Sequence, residues 1–92
     1  MNKGELVDAI ATRTNAIASK KVIDAVLSAA IATIVDTVAD GDRVTLVGFG
    51  TFLARQRKER EGHNPRTGDK MTIPPTTVPA FAAGKTFKQK VN

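Results

Sequence analysis

Arg55-Gln56-Arg57-Lys58-Glu59-Arg60-Glu61-Gly62-His63-Asn64-Pro65-Arg66-Thr67-Gly68-Asp69-Lys70 is the stretch whose reading decides the rest of the chain. Its centre, Asn64 to Gly68, has turn chemistry: Pro65 fixes φ near the value needed early in a turn, and Gly68 can take a positive φ without a Cβ clash. Two extended runs, Leu53 to His63 and Lys70 to Val78, therefore meet at a tip. Large apolar residues are almost absent from both, and a strand pair that buries neither face does not belong to a core. The expectation is a projecting two-stranded arm. At a rise of about 3.3 Å per residue, roughly twelve residues reach about 40 Å.

Working outward, the next question is what remains to fold. The chain has 92 residues. With about thirty of them in the arm, roughly sixty are left for a core, near the limit of independent stability, so an obligate oligomer is expected. There is no Cys, hence no disulfide and no thiolate metal site. No charged-then-apolar leader pattern opens the chain, and no apolar run approaches the eighteen or so residues of a membrane span. A soluble, intracellular protein is the expectation.

The net charge of +5 is unevenly placed. Residues 1–42 carry four basic and six acidic side chains and residues 43–92 ten and three, so the halves stand at −2 and +7. A merely solubilising surface would mix its signs. A one-signed half attracts a polyanion.

N-terminal to the arm, Leu6, Val7, Ile10 and Ala11 mark one face of a first helix from Lys3 to about Thr14. Asn15 to Ala18 breaks it loosely, and Ser19 stands where its hydroxyl can cap a second helix. In that helix Val22, Val26, Ala30, Ile34 and Val38 form one row and Ile23, Leu27, Ile31 and Val35 a second. Such a stripe suits either an ordinary buried helix or one packed between its own chain and a second copy, and its width favours the second copy. Gly41 suits the left-handed position that ends it. Arg43 to Val47 then alternates as a strand, and Gly48-Phe49-Gly50 turns a tight corner, with Phe49 and Phe52 plugging the root of the arm. After the arm, Val78-Pro79-Ala80-Phe81 returns to apolar ground, and residues 82–91 read as a short last helix.

Catalytic machinery is not legible. His63 is the only histidine and stands away from clustered carboxylates. Ser19 and Ser28 fall on the second helix, where capping and a polar face explain them. Gly48 and Gly50 lack the third glycine and following helix of a dinucleotide loop, and Gly84-Lys85-Thr86 lacks the upstream glycine of a phosphate loop. No enzyme, cofactor, metal or small-molecule substrate is expected. Trp and Tyr are absent and the four Phe fall outside the arm, so a stacking platform for single strands is not expected either. Phosphates and a groove remain. Arg55, Arg57, Lys58, Arg60, Arg66 and Lys70 can neutralise backbone charge with little sequence content. At the extreme tip, the ring of Pro65 can wedge into a base step and kink a duplex.

Read in order, Met1-Asn2-Lys3 with Leu6, the corner Val47-Gly48-Phe49-Gly50-Thr51-Phe52, then Arg57, Arg60, Gly62, Asn64-Pro65, Thr67-Gly68, and finally Val78-Pro79-Ala80-Phe81 with Gly84-Lys85 resemble the HU/IHF family of bacterial histone-like, DNA-bending proteins, closest to HU. The resemblance spans essentially the whole chain. It implies an α+β fold. An intertwined homodimer has a helical body, made of two N-terminal helices and a short C-terminal helix, and a three-stranded antiparallel sheet extended into a long β-ribbon arm. It also implies one domain over 1–92, with a helical dimerisation part at 1–42, sheet and DNA-binding arm at 43–81 and C-terminal helix at 82–92. Implied DNA contacts are Arg55, Arg57, Lys58, Arg60, His63 and Lys70 along the arm, and intercalation by Pro65 with Asn64 and Arg66 beside it. Lys3, Lys20, Ala83, Gly84 and Lys85 would hold flanking phosphates, the last three at a helix start. Two positions depart from the family pattern: His63 stands where Arg is usual, and Thr77 replaces a usual basic residue. The implied function is architectural. The chain would bind double-stranded DNA through the minor groove with little sequence preference and bend it, compacting the chromosome of a cytoplasmic nucleoid. The alternatives are a site-specific IHF-like bender and a general RNA or polyanion binder that does not bend.

Overall fold

A computed structural model describes residues 1–92. They form three helices and five strands, and cluster into two compact units, Met1–Asp36 and Thr37–Asn92.

In the first unit, helix α1 (Lys3–Arg13) starts at a capping box: Glu5 N–H donates to Asn2 Oδ1 at 2.9 Å, and Asn2 N–H donates back to Glu5 Oε1 at 3.4 Å. Its end is not loose, as expected, but closed. Asn15 takes φ 54° as a left-handed cap, Asn15 N–H donates to the Thr12 carbonyl and Ala16 N–H to that of Ala11. Ala16 also sits at φ 54°. Ser19 caps helix α2 (Lys20–Ala39) as expected, its Oγ accepting from Val22 N–H at 3.2 Å. Val7, Ala11 and Ile23 are buried, with Ile10, Ala18 and Leu27 packed against them.

That core uses only part of the α2 stripe. Val22, Val26, Ile31 and Val35 lie bare along the helix, Val26 at 64% exposure. The expectation that no apolar run approaches a membrane span also changes: α2 is long and apolar enough, by length and composition, to cross a membrane, because Asp24, Ser28, Thr33, Asp36 and Thr37 interrupt its apolar residues without lowering its mean hydropathy far. The core helix of a soluble protein passes the same test.

In the second unit, the last turn of α2 ends at Gly41, φ 87°, whose N–H donates to the Val38 carbonyl, while Asp42 N–H reaches that of Thr37. Strands β1 (Val44–Leu46), β2 (Gly50–Arg57) and β5 (Thr76–Ala83) form an antiparallel sheet in the order β1-β2-β5. Strands β3 (Arg60–His63) and β4 (Lys70–Ile73) form a separate antiparallel pair, and helix α3 (Lys85–Val91) closes the chain. The corner between β1 and β2 is a turn in which Phe49 N–H donates to the Leu46 carbonyl at 3.0 Å, with Gly48 at φ 81° in the position where type II turns need glycine.

Three expectations change here. Ala82 and Ala83 belong to β5, opposite Thr51 and Gly50, and the last helix starts only at Lys85. Ladder partners on β2 outweigh the helix propensity of two alanines. The four Phe do cluster, with ring centroids 4.8 Å apart for Phe52–Phe81 and 4.9 Å for Phe49–Phe81 and Phe87 stacked on Phe49 at 5.4 Å. They are not buried within the chain, for Phe49 keeps 41% of its surface exposed. Finally, the ribbon is broken. Ladder pairing runs from Gly50↔Ala83 to Arg57↔Thr76, lapses, and resumes from Arg60↔Ile73 to His63↔Lys70. Two residues, Lys58 and Glu59, lie across from two prolines, Pro74 and Pro75, so the register is the same on both sides of the gap. Proline has no N–H to give a ladder, and two in succession remove it locally.

Candidate nucleic-acid interface

The tip of the arm is the best-organised part of the basic segment. Asn64 N–H donates to the Asp69 carbonyl at 2.8 Å, Gly68 N–H donates to the Asn64 carbonyl at 2.8 Å, and Arg66 N–H donates to Asn64 Oδ1 at 2.9 Å. Asp69 N–H reaches Thr67 Oγ1 at 3.3 Å, and Gly68 takes φ 73°. An Asx turn and a left-handed glycine thus fix both sides of the loop. Pro65 and Arg66 stand exposed upon it. Sequence reasoning assigned Asn64 only a place beside the wedge. Its backbone and side chain also make three of the four bonds that shape the loop, a role readable from the Asn-Pro-x-x-Gly spacing.

Behind the tip, each ladder sorts its side chains by alternation. On β2, Arg55 and Arg57 share a face with Val78 and Thr76, their neighbours across the ladder. On β3, Arg60 and Gly62 share a face with Ile73 and Met71, while Glu61 and His63 share the other with Thr72 and Lys70. The structure therefore brings Arg55 and Arg57 together and gives Arg60 an apolar setting of its own. Lys58 lies in the ladder gap, where a shallow groove is lined by Gln56, Arg57, Glu59, Pro75, Thr76 and Thr77. The arm cations are all exposed and none has a carboxylate partner within ion-pair distance. Met71 and Ile73 were missed as an arm feature, because a count of apolar residues does not show that both fall on one face.

The remaining sequence-predicted residues fall in two places. In the first unit, Lys3 Nζ lies 3.4 Å from Asp24 Oδ1 and donates to Ser28 Oγ, and Lys20 Nζ lies 3.0 Å from Asp8 Oδ1. All four charged side chains are about half exposed or more, and exposed pairs of this kind contribute about 0–1 kcal/mol, so they hold neither lysine against a competing anion. In the second unit, Ala83, Gly84 and Lys85 carry the chain from β5 into α3. Gly84 N–H is already committed to the Phe49 carbonyl at 2.7 Å, and Gly84 forms the N-cap with no side-chain bond.

A family model described as bacterial DNA-binding protein matches residues 1–92. The chain is 62% identical over 91 residues to DNA-binding protein HU of Nostoc sp., covering 99% of this chain and 95% of that protein. It is 46% identical over 92 residues to DNA-binding protein HU-beta of Escherichia coli strain K12, both chains being covered in full. Among solved structures, Anabaena HU in a cocrystal with DNA superposes with a TM-score of 0.91 at 62% identity, over 99% of this chain and 97% of that one. HU from Thermotoga maritima superposes with a TM-score of 0.70 at 32% identity, over the whole of both. With its full length matched and its three helices and antiparallel strands in the same arrangement, the chain belongs to the family of bacterial DNA-binding proteins, among the HU-type members.

Proposed function

We propose that this protein is an architectural DNA binder of the HU type: a homodimer whose two arms enter the minor groove of double-stranded DNA and bend it with little sequence preference. The relatives named DNA-binding protein HU and the HU–DNA cocrystal support the DNA partner. The bare α2 stripe and the half-exposed Phe cluster support the second copy. In this reading Arg55, Arg57, Lys58, Arg60, His63, Arg66 and Lys70 line the phosphates and groove, and Lys3, Lys20, Ala83, Gly84 and Lys85 hold phosphates flanking the bend. The setting is the nucleoid of a bacterial cytoplasm.

The observation that carries the bending is the tip. Pro65 is exposed on a loop pinned by the bonds of Asn64, so its ring is presented in one orientation without a further ordering cost. Unstacking a base step costs a few kcal/mol, and a preformed wedge is what offsets it. Bending 20–30 base pairs by 40–90° costs on the order of 1–6 kcal/mol, so sequence preference arises from how easily a step deforms. End-to-end fluorescence transfer on a labelled duplex tests this. Wild type is expected to raise transfer on binding, and Pro65→Ala to lose most of that rise while still binding. A rise unchanged by Pro65→Ala removes the wedge; no rise with wild type leaves a polyanion grip without bending, the alternative reading.

A further inference from the structure

Arginine and lysine side chains hold their charge across the neutral range, and Arg55, Arg57, Lys58, Arg60, Arg66 and Lys70 are all of these two types. Histidine is the side chain that gains or loses its charge between about pH 5 and 8. His63 is the only one in the chain, and it lies on the arm. It is exposed at the last position of β3, directly before Asn64, whose bonds pin the tip. The imidazole is therefore carried on ordered backbone, two residues from Pro65.

Few charged groups surround it. Lys70 stands opposite in register on β4, the strand paired with β3. Because Asn64 N–H bonds the Asp69 carbonyl, ladder alternation makes His63 and Lys70 a pair without mutual backbone bonds, in which Cα atoms stand about 4.5 Å apart and side chains are close. Glu61 shares that face two residues back, and Arg66 and Asp69 belong to the adjoining turn. None of these is ion-paired to the imidazole, which is open to a partner from outside the chain.

We infer that His63 is a proton-linked contact: a duplex phosphate beside it brings a proton onto the imidazole, so the grip of the arm tightens as pH falls through the neutral range. This rests on the reading that the arm lies along double-stranded DNA. A neutral imidazole turns one lone pair and one N–H outward, whereas the protonated ring has two N–H donors and a charge for a phosphate oxygen. Like charges directly opposite on a ladder repel, and an anion beside both His63 and Lys70 offsets that repulsion. The sign follows. The complex holds more protons than its free partners, so log affinity rises as pH falls and levels off where the imidazole has the same charge free and bound. One added exposed charge contact strengthens binding about threefold, and two arms of a dimer give about tenfold.

Fluorescence anisotropy of a labelled duplex, at constant ionic strength from about pH 5.5 to 8.5, spans the transition. His63→Gln takes no proton and His63→Arg is charged throughout, and titration elsewhere is common to all three proteins. The ratio of wild-type affinity to that of either variant is therefore expected to rise about tenfold from the alkaline to the acid end. A merely structural effect of the substitution leaves both ratios constant. The wild-type slope of log affinity against log salt is also expected to steepen toward the acid end, by up to about 0.9 per arm, as one more phosphate is neutralised. Ratios that stay constant, or a salt slope independent of pH, overturn the proton link and leave DNA binding standing. Failure of the wild type to bind duplex at either end overturns both.

Discussion

Substitution of Gly50 by Ala isolates the physical requirement at the root of the arm. Gly50 is not among the positive-φ glycines, so alanine has no conformational objection there and any cost is steric. A Cβ would lie 2.5 Å from Phe81 Cζ and 2.6 Å from the Ala82 carbonyl oxygen. The ring can shift; the carbonyl belongs to the β2–β5 ladder and cannot retreat without opening it. Overpacking typically costs 1–3 kcal/mol, and a backbone obstacle places this case at about 2–3 kcal/mol. At roughly 4–8 °C per kcal/mol for a domain of this size, the thermal midpoint is expected to fall by about 8–24 °C. Gly62→Ala is the matched control on the same ribbon. Its Cβ meets side-chain atoms alone, Ile73 Cδ1 at 2.9 Å at the far end of a flexible side chain, with Ile73 Cγ1 at 3.4 Å and Met71 Cγ at 3.9 Å. A rotamer adjustment of about 0.5–1.5 kcal/mol is set against the 0.4–1 kcal/mol that Gly→Ala gains through the unfolded state, leaving about 1 kcal/mol or less. Far-UV circular dichroism melts at one fixed protein concentration measure both. A Gly50→Ala midpoint within about 2 °C of wild type, or a Gly62→Ala drop as large as that of Gly50→Ala, would refute the claim that a fixed carbonyl rather than general crowding requires the glycine.

Binding to duplex DNA is expected to weaken linearly in log affinity against log salt, and Arg57→Gln or Arg60→Gln to flatten the slope by about 0.9 for each phosphate no longer neutralised; an unchanged slope would place these side chains away from phosphate. Ala16→Gly is expected to stabilise by about 0.5–1 kcal/mol, since it removes a Cβ from a φ of 54° at the end of α1, and a destabilised variant in chemical denaturation would show that strain is not stored there. The thermal midpoint is expected to rise with protein concentration; a constant midpoint together with a monomer mass by ultracentrifugation would remove the second copy from the reading.

How far the sequence led depends on whether a residue's role is set by its neighbours in the chain or by partners elsewhere. Ser19, Gly41 and Gly68 were readable because caps and turns are closed by bonds to residues five or fewer positions away. The cap at Asn15 obeys the same rule and was readable too, but asparagine signals it less sharply than glycine. Ala82 and Ala83 were misplaced because strands on either side of the arm decide them, and only the register with Thr51 and Gly50 shows it. The ladder gap needed the same register. Pro74-Pro75 is visible as a pair, yet what lies opposite is not. For the site, charge and the Asn64-Pro65 turn were legible, while the difference between the two arm faces was not, since it depends on which β3 residue pairs with which β4 residue.

The arm also poses a problem that its own residues resolve. A projecting two-stranded ribbon has two outer edges with unpaired N–H and C=O groups, and such edges recruit other strands. Here the returning side carries Pro74, Pro75 and Pro79, which withhold donors, and the outgoing side carries Arg55, Arg57, Lys58 and Arg60, which repel the same side of another copy. Both devices oppose protein partners while leaving the ribbon open to a polyanion, whose phosphates turn the cations from a cost into an attraction. The ladder gap adds one more property. With no bonds across Lys58–Glu59 and Pro74–Pro75, the ribbon resists bending least at that point, yet the constant register keeps every outer side chain on its assigned face. An arm built in this way can flex at its middle without losing the alternation that sorts its side chains between two faces.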